Sequence, residues 1–179
     1  MSAAASATMS ASMSALALPA CGADGATRKA LAAFYQAYVS RKPELLDAIL
    51  DDKVEWLIAG PAEQFDLYGL RSGKVEVIEL ITRIIPCYFH ITDFEIEHLL
   101  VQGDRVASYG RIRARQRDTG RALRFGYAHF LCFRDGKLVS LRGVPDTFDA
   151  AEQVVGHPID VTKEIESAPI SPVDDFSAV

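Results

Sequence analysis

The side chains best suited to chemistry are an aspartate, an arginine and a histidine in the second half of the chain. Asp146 follows an apolar segment, where a carboxylate can act as a general base or cap a following helix. Arg111 offers paired N–H donors that suit a carboxylate or an enolate. His129 is of a type that titrates near neutral pH and suits acid–base work. We therefore look for a small-molecule site near these residues.

Composition excludes several other classes of function. The net charge of −5 argues against nucleic acid and anionic membranes as partners, since both reward a basic surface. No apolar run approaches the roughly 20 residues that span a bilayer. No Cys-x-x-Cys or His-x-x-x-His pair occurs, so we expect no disulfide framework, no metal site and no cofactor. A reduced, cytoplasmic location is the simplest expectation.

The length of 179 residues suits one domain, which we place at residues 28–156. Residues 1–27 are rich in Ala and Ser and are predicted to form a disordered tail. Residues 157–179 mix Pro, Ser, Asp and Glu without periodicity and are predicted to form a second one.

The elements of this domain change from helices to strands along the chain. Thr27 can cap a first helix, and Pro43 suits the first turn of a second. A short strand over residues 54–58 precedes a third helix, which begins near Ser72 and is predicted to end at Pro86. Four strands then follow, at residues 89–100, 105–117, 121–133 and 137–144. This order predicts an α+β fold with three helices on one face of a curved, mainly antiparallel sheet around a small-molecule pocket.

Hairpin turns predict which side chains share a face of the sheet. A two-residue turn at Thr119-Gly120 pairs Ala128 with Arg111, and a turn at Asp135-Gly136 pairs Ala128 with Gly143. One face then carries Tyr109, Arg111, Arg113, Arg124, Gly126, Ala128, Phe130, Cys132, Leu141 and Gly143. The other face carries Phe125, Tyr127, His129, Leu131 and Phe133. A three-residue loop over 118–120 would move Arg111 to the second face.

Several short motifs, in order, resemble the SnoaL-like branch of the nuclear transport factor 2 superfamily. They are Val54-Glu55-Trp56, Ile58-Ala59-Gly60-Pro61, Tyr68-Gly69-Leu70-Arg71-Ser72-Gly73, Gly103-Asp104-Arg105-Val106, Ala128-His129-Phe130, Phe133-Arg134-Asp135-Gly136-Lys137-Leu138-Val139 and Leu141-Arg142-Gly143-Val144-Pro145-Asp146-Thr147. The resemblance implies a cone of helices and bent sheet, usually dimeric, with an internal pocket. It implies no single activity, because the superfamily includes isomerases, cyclases, epoxide hydrolases and binders.

The resemblance also identifies positions that carry catalysis in relatives. In ketosteroid isomerase the oxyanion-binding acid would fall at Ala128, the proton-shuttling carboxylate at Trp56 and the phenol donor near Tyr35. Limonene epoxide hydrolase would have its last-strand aspartate at Gly143. Tryptophan, alanine and glycine cannot transfer protons, so both mechanisms are disfavoured. The small residues predict an open cavity on the face shared by Ala128 and Gly143.

Alternatives remain for each candidate. Arg111 could lie in the pocket or on a solvated rim, and Asp146 could be a base or a helix cap. His129 lies on the more apolar face and is expected in the interface of a homodimer. The predicted ligand contacts are Trp56, Tyr109, Ala128, Phe130 and Gly143.

Three functions are compatible with these residues. We expect a domain that binds a small apolar, carbonyl-bearing or carboxylate-bearing molecule in the pocket, without the acid–base residues of the isomerase or the epoxide hydrolase. The first alternative is an isomerase, cyclase or hydrolase with Asp146 as base and Arg111 or Tyr35 polarising an oxygen. The second is a dimerisation module without a ligand.

Overall fold

The first layer of the fold is built by two helices. The computed structural model describes residues 24–162 and begins with α1 (Asp24–Ser40) and α2 (Pro43–Ile49). The buried residues Leu31, Phe34, Tyr35 and Tyr38 recur at helical spacing in α1 and form one apolar side. Thr27, predicted as a cap, lies inside the first turns of α1, where its hydroxyl donates to the carbonyl of Gly103 at 2.7 Å.

A strand pair and a composite helix follow. Strand β1 (Leu50–Ile58) pairs antiparallel with β2 (Gly69–Ser72), a short edge strand that the sequence did not predict. Helix α3 (Lys74–Glu79) then continues through a π-helical segment (Leu80–Ile84) into α4 (Ile85–Tyr88). The predicted helix end at Pro86 is therefore wrong. Pro86 sits at the first turn of α4, where its missing N–H interrupts no regular ladder.

The remaining strands complete one sheet. These are β3 (Phe89–Gln102), β4 (Arg105–Gln116), β5 (Ala122–Arg134) and β6 (Lys137–Pro145), followed by helix α5 (Thr147–Val155). The six strands are ordered β2-β1-β6-β5-β4-β3, and the β1–β6 pair is parallel while the others are antiparallel. The predicted α+β class, with helices packed on a mainly antiparallel sheet, is confirmed.

The β4–β5 hairpin has a longer turn than predicted. Ala128 pairs with Tyr109 rather than with Arg111, and the ladder closes where the Gln116 N–H donates to the carbonyl of Arg121. This difference of two residues leaves every side chain on its predicted face, because the side-chain period of a strand is two.

The β5–β6 pairing contains a bulge that places Gly143 on the opposite face of the sheet from Ala128, contrary to the prediction. Phe133 pairs with Leu138 but Cys132 pairs with Ser140, so Val139 is an extra residue on β6. Beyond it, Gly143 lies opposite His129 and Val144 lies opposite Ala128. The predicted common face of Ala128 and Gly143 is therefore wrong, since one extra residue exchanges the two sides of a strand.

Bulges in β3 and β6 bend the sheet around its inner face, which packs on α1. On β5 this inner face carries Leu123, Phe125, Tyr127, His129, Leu131 and Phe133, all buried. Most of both predicted tails lies outside the described residues, although α1 already begins at Asp24. Among the helices in the described range 24–162, none is long and apolar enough to cross a membrane.

Candidate functional site

The inner face holds a group of polar side chains in an otherwise apolar interior. The Tyr35 hydroxyl lies 2.9 Å from Ser108 Oγ and 3.0 Å from His129 Nδ1. Tyr35 comes from α1, Ser108 from β4 and His129 from β5, and all three are buried. The ring of Tyr127 of β5 packs beside that of His129, with centroids 4.4 Å apart and the ring planes tilted by 48°. We call these four residues the interior polar cluster.

Burial sets the protonation states in this cluster. Desolvation lowers the pKa of His129 to about 3, so its imidazole is neutral at physiological pH. Desolvation also raises the pKa of Tyr35 to about 12, against smaller opposing effects of the neighbouring hydroxyl groups of Ser108 and Tyr127. The pKa of Tyr127 is raised by burial first and by Tyr35 next. The cluster therefore offers neutral donors and acceptors, and His129 is a weak base.

Among residues 24–162, two buried polar side-chain atoms have no hydrogen-bond partner. They are Nε1 of Trp56 and the hydroxyl of Tyr127, and both residues are about 99% buried or more. The Tyr127 hydroxyl lies close enough to Tyr35 and Ser108 to affect the pKa of Tyr35, but without a hydrogen bond of standard geometry. A buried unsatisfied group costs about 1–3 kcal/mol, so two of them in one interior require an explanation.

Aromatic rings surround these atoms. The Trp56 ring packs 5.9 Å from Phe34 and 5.7 Å from Tyr38, measured between centroids. Phe94 contacts Tyr38 at 5.0 Å and Tyr127 at 5.4 Å, and so connects the tryptophan side to the interior polar cluster. The surroundings of these atoms are mainly apolar, with a few polar groups.

Gly143 allows β6 to approach the ring of His129. A Cβ at this position would lie 2.6 Å from Ile58 Cδ1 and 3.2 Å from His129 Cδ2. Gly143 thus lies on the inner face, whereas Ala128 lies on the outer one. The space that a side chain at Gly143 would occupy is filled by Ile58 and His129, so this position does not open a cavity.

The other predicted ligand contacts lie on the opposite face. Tyr109 and Phe130 are 46% and 54% exposed, and Ala128 and Arg111 share their side of the sheet. This outer face is separated by the sheet from Tyr35, Trp56 and Gly143. The predicted grouping of these residues on one pocket face is therefore wrong. The face of β5 that packs on the helices is the more apolar one, and it carries His129, which the sequence analysis placed outside.

Arg111 and Asp146 have structural roles, a solvated position and a helix cap, which were the alternatives to catalysis. Arg111 Nε forms a 2.9 Å ion pair with Glu97 Oε1 on the outer face. Asp146 caps α5, since the Asp149 N–H donates to Asp146 Oδ1 at 3.0 Å. Tyr35 is therefore the one predicted catalytic residue in the interior, and the structure does not bring the three together.

Ser108 and Tyr127 were missed by sequence reasoning. The alternation of β4 puts Val106, Ser108, Gly110, Ile112 and Ala114 inward, which places a hydroxyl opposite His129. The sequence does contain a signal for which face is the inner one. Phe125, Tyr127, Leu131 and Phe133 make their face of β5 the more apolar, and a sheet covered by helices on one side turns its more apolar face toward them.

A separate cleft of about 410 Å³ opens on the side of the π-helical segment. It is lined by Asp66, Glu79, Arg83, Ile84, Cys87 and Tyr88. The Tyr88 hydroxyl donates to Asp66 Oδ1 at 2.9 Å, and Arg83 pairs with Glu79 at 3.2 Å. None of the predicted site residues lines this cleft. Across the described residues 24–162, no group of three His, Cys, Asp or Glu side chains could hold a metal ion.

Comparison with known proteins gives consistent results. Residues 31–141 match the family model described as a SnoaL-like domain. A crystal structure of a proposed isomerase from Rhodopseudomonas palustris is 33% identical, with a TM-score of 0.66 over 72% of this chain and 97% of that chain. No curated protein matches the sequence.

Two more distant structures agree in fold alone. An LEH-like epoxide hydrolase from M. tuberculosis is 16% identical, with a TM-score of 0.62 over 75% of this chain and 93% of that one. A proposed SnoaL-like polyketide cyclase from Jannaschia sp. CCS1 is 10% identical, with a TM-score of 0.62 over 79% of this chain and 99% of that one.

Proposed function

Because the chain belongs to the SnoaL-like domain family, we propose that its interior binds a small, mainly apolar molecule that carries a carbonyl or carboxylate oxygen. The observation that carries this proposal is the pair of unpartnered polar atoms, Trp56 Nε1 and the Tyr127 hydroxyl. An indole N–H can only donate, so a ligand that satisfies Trp56 must present an acceptor. A ligand oxygen meets this requirement, and the aromatic shell suits the rest of the molecule.

Binding is favoured over acid–base catalysis by the protonation states of the interior. Thr27, Ser108 and His129 are the buried polar residues in the described range, and no Asp or Glu is among them. The lowered pKa of His129 makes its imidazole a poor proton acceptor near pH 7. An isomerase, cyclase or hydrolase using Asp146, Arg111 and Tyr35 together has less support, because these three residues do not share a site.

Trp56 allows a direct binding experiment because it is the single tryptophan of the chain. We expect cyclic ketones or aromatic carboxylates to change its fluorescence in a saturable manner. Analogues without the oxygen should bind roughly tenfold more weakly, since they leave the buried donors unsatisfied. The Tyr127→Phe variant should lose a similar factor in affinity for the oxygen-bearing probe.

Tyr109→Phe is the matched control for this titration, because it removes a tyrosine hydroxyl from the exposed outer face. It should bind as the wild type does. The proposal is wrong if no probe changes the fluorescence or the melting temperature. Equal affinities of wild type and Tyr127→Phe would also contradict it.

We also propose that two copies of the chain associate through the outer face of the sheet. Leu100, Tyr109, Phe130 and Val144 are between 46% and 74% exposed there, and they form a band across β3–β6. Next to the band, Arg111 pairs with Glu97, and Arg113 and Arg124 pair with Glu95. Because these three guanidinium groups are paired with two carboxylates of the same chain, a second copy meets less like-charge repulsion than unpaired arginines would cause. His129 takes no part in this proposed interface, since it is buried on the inner face.

Phe130→Asp should convert the dimer to a monomer in sedimentation velocity at micromolar concentration, because it places a charge in the centre of the apolar band. Val75→Asp is the control, since Val75 is 77% exposed on α3, away from the sheet face. A wild-type chain that sediments as a monomer would rule out the proposed interface. An unchanged dimer in Phe130→Asp would do the same.

A further inference from the structure

A cluster of positive side chains lies where β3 begins and β4 ends. We call Arg41, His90, Arg115 and Arg117 the basic cluster. His90 is paired directly with Arg115 across the β3–β4 ladder, and the Arg117 N–H extends this ladder by donating to the carbonyl of Tyr88 at 2.9 Å. Arg115 therefore lies directly opposite His90, and Arg117 lies diagonally opposite it, on the same side of the two strands.

Arg41 reaches the same place from the end of α1. Its backbone adopts a left-handed conformation with φ of 54°, and its N–H donates to the carbonyl of Ala37, which ends the helix. The side chain leaves this turn toward β3, where Nη2 lies 2.8 Å from His90 Nδ1. A guanidinium can only donate, so Nδ1 is the acceptor. The neutral ring of His90 then carries its proton on Nε2, as a further donor.

The positive charges of this cluster are not balanced by carboxylates. In the described part of the chain, the arginines that form ion pairs are Arg83, Arg111, Arg113 and Arg124, and no member of the basic cluster is among them. The pKa of His90 is lowered, by burial first and then by Arg41, Arg117 and Arg115. Three guanidinium groups thus act on one imidazole, in a chain whose net charge is −5. Such like charges repel one another unless an anion lies between them.

We propose that the basic cluster binds a small oxyanion, either a phosphate group or a carboxylate. Planar guanidinium groups donate pairs of N–H bonds to such oxygens, and the Nε2–H of His90 adds a single donor. The site is on the surface and shares no residue with the interior polar cluster. It therefore stands independently of ligand binding in the interior.

The imidazole of His90 reports directly on an anion at this site. Its pKa can be followed by proton NMR in sulfate, phosphate or acetate, each compared with chloride at equal ionic strength. Sulfate keeps a constant charge over the titration. A bound oxyanion stabilises the imidazolium, so we expect a saturable rise in the pKa of His90 that chloride does not produce. A response to sulfate and phosphate alone identifies a tetrahedral oxyanion, and an equal response to acetate identifies carboxylates as ligands too.

Substitution of the arginines separates binding from a merely structural role. Arg117→Gln should raise the sulfate concentration that gives half of the response by roughly tenfold. It should also raise the pKa of His90 when no sulfate is present, because one neighbouring positive charge is removed. Arg115→Gln provides a second variant of the same kind. Arg142→Gln, an exposed position on β6 outside the cluster, should respond as wild type does. The proposal is overturned if no oxyanion exceeds chloride, or if the Arg117→Gln and Arg115→Gln variants respond as wild type does.

Discussion

Gly110→Ala is expected to lower the free energy of unfolding by about 3 kcal/mol, near the upper end of what overpacking costs. A Cβ at Gly110 would overlap the carbonyl oxygen of Glu95 and lie 3.1 Å from Ile96 Cα. These are backbone atoms of the neighbouring strand, so they cannot rotate away as a side chain would. Urea denaturation of the two proteins, compared at constant m value, measures the difference.

Gly126→Ala is the control for this substitution. Gly126 lies on the adjacent strand β5, and a Cβ there would meet nothing closer than Asp146 Cβ at 3.8 Å. Its expected effect is therefore within about 0.5 kcal/mol. A Gly110→Ala variant as stable as Gly126→Ala would show that β3 and β4 do not approach each other as closely as described.

Stability is expected to fall by about 2 kcal/mol between pH 7.5 and about pH 5 because of His129. Its pKa is about 3 in the folded protein, where burial disfavours the charged ring, and 6.5 as an ordinary histidine. The unfolded chain therefore binds a proton in this range that the folded protein does not, which favours unfolding as pH falls. The loss begins as pH falls through 6.5 and ends near the folded pKa of about 3.

His129→Gln should remove most of this pH dependence when unfolding is measured by urea at several pH values. His90→Gln is the comparison, because the pKa of His90 is also lowered, by burial first, but its ring is exposed and its contribution should be smaller. The pKa values of Asp52 and Glu95 are also lowered, by hydrogen bonds from Lys74 and from Arg124 and Arg113. Their contribution is lost only at more acid pH, since carboxylates in the unfolded chain titrate near pH 4. A His129→Gln variant with the wild-type slope would contradict the neutral, buried imidazole.

Local sequence patterns predicted most of the elements. The helical spacing of Leu31, Phe34 and Tyr38, and the turns at Gly103 and Gly136, specify structure through contacts between near neighbours. The prediction that Tyr109 and Arg111 lie on the same face of the sheet as Ala128 was also correct, because an error of two residues in the hairpin register leaves each side chain on the same face. The edge strand β2 was missed since four residues beside a loop carry almost no periodic signal.

The position of the site depended on relations between distant parts of the chain. No pattern near Val139 signals an extra residue, so the bulge and the inward position of Gly143 beside His129 came only from the pairing of β5 with β6. The resemblance to relatives' catalytic positions indicates one side of the sheet as the inner one, whereas the apolar side chains of Phe125, Leu131 and Phe133 indicate the other side, which is the one that packs on the helices. Tyr35 was identified through the resemblance, but its partners Ser108 and His129 required the packing of α1 on β4 and β5.

The bulge at Val139 also matters for how this chain can diverge. Removing that single residue would leave Leu141 and Gly143 opposite their present partners on β5, because the bulge already holds the extra residue outside the ladder. Leu141 and Gly143 would still point toward the helices, and Arg142 and Val144 would still point to solvent. A change of length by one residue at this point would thus leave the lining of the interior as it is. Comparisons between relatives that place a gap wrongly at this point would match interior residues of one protein with exterior residues of another.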